Sequence, residues 1–88
     1  MSALPNPQLN FEQEELTAEL LTIPLVREFE ATEVRAIADL ACDGDARSQY
    51  LVGRWFESAG RVAYARKWYA AAASSNFLPA RRKLRRLR

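Results

Sequence analysis

Apolar positions recur at helical spacing through most of the chain. The clearest stretch runs from Gly44 to Ala80, where Ser48, Val52, Phe56 and Ala59 form one stripe. A second stripe follows with Val62, Ala65, Trp68 or Tyr69, and Ala72, and Gly60 and Arg61 separate the two. The pattern predicts two antiparallel helices joined by a short turn. Gly53 sits where a side chain would hold the facing helix away, and Ala70 to Ala73 offer a low surface for close packing. Phe56 and Trp68 fill the space beside them. Trp55, at helical spacing from Val52 and Ser48, is assigned to the core before any surface role.

Upstream, Asn10 is a candidate cap for a helix from Phe11 to about Thr22, with Glu12, Glu14 and Glu15 suited to its positive start. Phe11, Leu16 and Leu20 share a side, and Pro24 ends the helix. Ile23 to Ala31 is either a connection or an early helical start, packed through Leu25, Val26 and Phe29. The next helix is expected from about Thr32, its candidate cap, to Cys42. Val34, Ile37, Leu40 and Ala41 mark its apolar face, and Gly44 is a left-handed stop. Pro79 suits the opening turn of a last helix to Arg88, with Ala80, Leu84 and Leu87 on one face. No strand pattern is present. The fold class is all-α, with about five helices in antiparallel pairs.

The residues Ser48, Val52-Gly53, Phe56, Ala65, Trp68, Ala72-Ala73, Asn76 and Ala80 resemble the Sel-one-like repeats, relatives of the tetratricopeptide repeats. The match covers somewhat under half of the chain. Val52 stands for the family's leucine, Ala59 and Arg61 for its two turn glycines, Asn76 for its closing glycine, and the loop between the helices is shorter. A shift of 32 residues lays Gly44 on Asn76, Leu40-Ala41 on Ala72-Ala73 and Leu20 on Val52. The resemblance implies a short helical-repeat domain over residues 11–88, comprising a degenerate first repeat at 11–43, a clear repeat at 44–76 and a truncated capping helix at 77–88. Residues 1–10 are expected to be a flexible tail.

Charge adds a direction to this picture. Residues 1–45 hold ten acids against Arg27 and Arg35, a net of −8, whereas residues 46–88 hold eleven bases against Glu57, a net of +10. Such a dipole fits first a pairing of the acidic front with the basic back, within one copy or between two, and second a basic face kept for another molecule. Cys42 has no second cysteine to pair with, and the chain carries no signal-peptide apolar region. A reducing cytoplasm is the expected compartment. No apolar run approaches the roughly 18 residues of a membrane span.

For catalysis the sequence offers little. There is no histidine, no glycine-rich phosphate loop and no metal-ligand spacing around Cys42, so no enzyme activity and no cofactor or metal is expected. Glu14 and Glu15 point apart on a helix and form a solvated face rather than an acid pair. In the family resembled, the first helices line a surface that holds protein partners. The corresponding residues here are Arg47, Tyr50, Leu51 and Arg54, with Arg82 and Arg86 placed beside Tyr50 and Arg54 by the shift of 32. The expected function is a small adaptor or regulator that binds an acidic protein segment, with a homodimer as a further partner state. The alternatives are nucleic-acid binding through the run Pro79 to Arg88 and a structural subunit of a larger assembly.

Overall fold

The computed structural model describes residues 13–87. Five α-helices follow one another: α1 (Gln13–Leu20), α2 (Ala31–Cys42), α3 (Ala46–Ser58), α4 (Val62–Ala73) and α5 (Leu78–Arg86), with a 3-10 turn at Val26–Glu28 between the first two. There is no strand among the described residues. Each helix packs on the next, and α1 also reaches α3. The molecule measures 37 × 30 × 18 Å, so it is two helix layers deep.

Three of the four connections share one construction. Gly44, Gly60 and Asn76 have φ of 100°, 76° and 64°, and they stand 16 residues apart. The residue after each donates its N–H five residues back: Asp45 to the Leu40 carbonyl, Arg61 to Phe56 and Phe77 to Ala72. This is the bond that closes a helix whose next residue is left-handed, and it turns the chain without leaving the last carbonyls bare. Glycine takes the left-handed conformation freely, and asparagine is the side chain that tolerates it best. The fourth connection, from α1 to α2, is built differently. Pro24 disfavours helix at Ile23, the Thr22 hydroxyl donates to the Glu19 carbonyl at 2.6 Å, and the chain re-coils at Val26–Glu28.

The core joins all five helices. Leu16 and Leu20 of α1, Val34, Ala38 and Ala41 of α2, and Val52, Trp55 and Phe56 of α3 are buried. Ala65, Trp68, Tyr69 and Ala72 of α4 complete it, and Ala80 is the fully covered residue of α5. Trp55 is thus a core residue, as its spacing predicts. Gln49, buried on α3, donates Nε2 to the Ala41 carbonyl at 3.0 Å and ties α3 to the end of α2. At the other end of α3, the Arg61 guanidinium pairs with Glu19 of α1 and lies over the rings of Tyr64 and Phe56 at 4.7 and 5.3 Å.

Several expectations need correction. Leu40 is 49% exposed, and Ala38 takes the buried place. At 100° per residue Leu40 points about 120° from the line through Val34, Ala38 and Ala41, outside the covered stripe. Ala59 is exposed because α3 stops at Ser58 and Ala59 caps it, and Val62 is exposed in the first turn of α4. The cap of α2 is Glu30 rather than Thr32, with the Glu33 carboxylate accepting from the Glu30 N–H at 3.2 Å. Of the three apolar residues before α2, Val26 is buried while Leu25 and Phe29 are largely exposed, although Phe29 lies 5.4 Å from the Trp55 ring. The expected cap Asn10, the expected helix start at Phe11 and the tail 1–10 lie outside the described residues.

Candidate binding groove

The surface between α3 and α5 is shaped by aromatic packing beneath it. Asp45 opens α3, its carboxylate accepting from the Ser48 N–H and hydroxyl at 2.9 and 2.7 Å, and these two bonds hold the Asp45 carboxyl below the usual range. Two turns on, Gly53 carries no side chain, and the Tyr69 ring from α4 fills its place. A Cβ there would lie 2.6 and 2.7 Å from two Tyr69 ring carbons. Tyr50 leans on Tyr69 with centroids 5.6 Å apart and on Phe77 at 5.4 Å. Phe77 is set there by the left-handed corner at Asn76, which also starts α5.

Above this base lie two adjoining recesses. The first, about 160 Å³, is lined by Tyr50, Pro79, Arg82, Lys83 and Arg86. The second, about 270 Å³, is lined by Arg54, Glu57, Ser58 and Lys83. Lys83 stands between them. Its ammonium pairs with the Glu57 carboxylate at 3.2 Å, and that carboxylate also accepts from the Tyr69 hydroxyl at 2.6 Å. The Tyr69 hydroxyl above all holds the Glu57 carboxyl below the usual range, aided by Lys83 and Arg54 and opposed by burial. Burial, then the same carboxylate, pushes the Tyr69 phenol up, so it stays a donor.

Of the six residues expected to bind a partner, Tyr50, Arg82 and Arg86 come together around the first recess. Arg82 and Arg86 are exposed, one turn apart on α5, and pair with no carboxylate among the described residues. Arg54 is exposed in the second recess, where Glu57 faces it. Arg47 is exposed at the start of α3 and acts electrostatically on Asp45. Leu51 is half-buried against the core and lines neither recess. Sequence reasoning missed Glu57, Lys83, Tyr69, Phe77 and Pro79 as parts of the groove. One signal was available, since Glu57 is the sole acid of residues 46–88.

A recess of about 130 Å³ between α1 and α2 is lined by Gln13, Glu14, Thr17, Arg35 and Asp39, whose mixed charges leave no strong field. Cys42 is half-buried, and burial with Asp39 and Asp43 pushes its thiol up, away from the reactive thiolate. Among the described residues no group of three or more His, Cys, Asp or Glu side chains could hold a metal ion. None of the described helices is long and apolar enough to cross a membrane. Compared with known protein families, curated proteins and solved structures, the chain matches none.

Proposed function

We propose that this chain is a small protein-interaction module, an adaptor or regulator without catalytic activity, whose α3–α5 groove binds an acidic segment of a partner protein. The observation that carries the reading is the first recess, where two guanidinium groups and a tyrosine ring meet with no carboxylate partner among the described residues. Guanidinium forks grip carboxylates at two points, and tyrosine supplies apolar area at low entropic cost. The resemblance to Sel-one-like repeats supports the same surface, and an intracellular, reducing compartment accords with the lone Cys42. A second copy could present its acidic α1 and α2 to this groove, which makes a homodimer the simplest partner state.

Nucleic-acid binding is the competing reading, favoured by Arg81 and Arg85, which are exposed on α5 away from the recess. The two readings separate in one titration with a glutamate-rich peptide and a short DNA duplex. For the module, Tyr50→Ala and the double variant Arg82→Ala/Arg86→Ala each weaken peptide binding by about 1–3 kcal/mol with unchanged melting. Arg81→Ala/Arg85→Ala then has little effect. Equal loss from every arginine pair, with a salt dependence on DNA that flattens by about one counterion per charge removed, marks the nucleic-acid reading instead.

A further inference from the structure

A negative charge in the middle of a groove meant for negative ligands calls for an account. The Glu57 carboxylate is held from beneath by the hydroxyl of the fully buried Tyr69 and from the side by Lys83. Lys83 is common to both recesses, and its charge is largely answered by Glu57. What remains is a positive recess at Tyr50, Arg82 and Arg86, a second positive point at Arg54, and the Glu57–Lys83 pair where the two recesses meet.

We infer that Glu57 determines the specificity of the groove by admitting acidic segments whose negative charges fall in two separated clusters and rejecting an unbroken run of charge. The inference rests on the acidic-segment reading above. An unbroken run must set one of its anions against Glu57, and like charges brought together in a partly dehydrated groove repel. A nucleic-acid strand is the extreme case, with a charge on every nucleotide and no neutral unit to place over the carboxylate. A peptide can lay a neutral spacer there. One cluster then meets Arg82 and Arg86, and the other meets Arg54.

The test uses the full chain and three fluorescent probes. Two are peptides with four glutamates each, contiguous in one and split into two pairs by a glycine-serine spacer in the other. The third is a short oligothymidine. Wild type should bind the split peptide about threefold or more tightly than the contiguous one, the scale of one partly screened charge contact. Glu57→Gln keeps an acceptor for Tyr69 and removes the charge, so it should bind both peptides alike and gain affinity for oligothymidine. Lys83→Gln leaves Glu57 uncompensated and should widen the wild-type preference. Melting curves accompany each variant, and the opposite sign expected for the two excludes a shared loss of folding as the cause. If wild type binds both peptides equally, or Glu57→Gln keeps the preference, the inference is wrong while the acidic-segment reading stands. If wild type binds neither peptide, with or without binding of oligothymidine, the acidic-segment reading falls and the inference falls with it.

Discussion

At Gly53 the meeting of α3 and α4 comes down to one carbon atom. Alanine there would raise helix propensity by about 1 kcal/mol. Its Cβ would also enter the Tyr69 ring at 2.6 Å, and Tyr69 is fully buried with its hydroxyl tied to Glu57, so the ring has no room to yield. Overpacking of this kind costs about 1–3 kcal/mol and outweighs the propensity gain. Gly53→Ala should therefore lower the urea midpoint, and an unchanged or raised midpoint would show that the ring moves freely. The need for a small residue at this place was legible from the sequence. The identity of the ring that fills it was not, because Trp68 and Tyr69 fit the stripe equally well and both prove buried.

Among the helices, α3 and α4 were the most legible, since each buries a long periodic face on the other. The start of the chain was harder to read for local reasons. In α2 the apolar Leu40 falls off the covered stripe while the small Ala38 lies on it, so hydrophobicity and direction disagree and direction decides. The cap passed from Thr32 to Glu30 because Glu33 reaches back to the Glu30 N–H. Arg61, read as a turn residue, joins α1 to the corner between α3 and α4 through Glu19 and two rings. That contact spans 42 residues of sequence, which no local pattern reveals. Arg61→Ala should lower global stability by only about 1 kcal/mol or less, because both partners are partly exposed. Amide hydrogens of α1 should nevertheless exchange faster while those in the centres of α3 and α4 keep their protection. Uniform acceleration in all helices would show that Arg61 does not act on α1 in particular.

Across the whole molecule, the split of charge along the sequence becomes a split in space, because consecutive helices are neighbours and the acidic residues of α1 and α2 precede the basic ones of α3 to α5. The all-α architecture and the closeness of Tyr50 to Arg82 and Arg86 were readable from periodicity and the 32-residue shift. The role of Glu57 was not, since a single acid in a basic half looks like a solvated exception until Tyr69 and Lys83 are seen to hold it.

The corners at Gly44, Gly60 and Asn76 have a consequence for growth of the fold. Corners of one shape at equal intervals leave the chain at Asn76 in the same local state as at Gly44, ready to enter a helix like α3. Inserting a second copy of residues 45–76 directly after Asn76 should then lengthen the protein rather than disrupt it. Helicity per residue should hold, and the denaturant dependence of unfolding should steepen with the added buried surface. A drop in helicity per residue would mean that the path of the chain depends on contacts particular to α5, and that this protein is a closed object rather than a length cut from an extensible one.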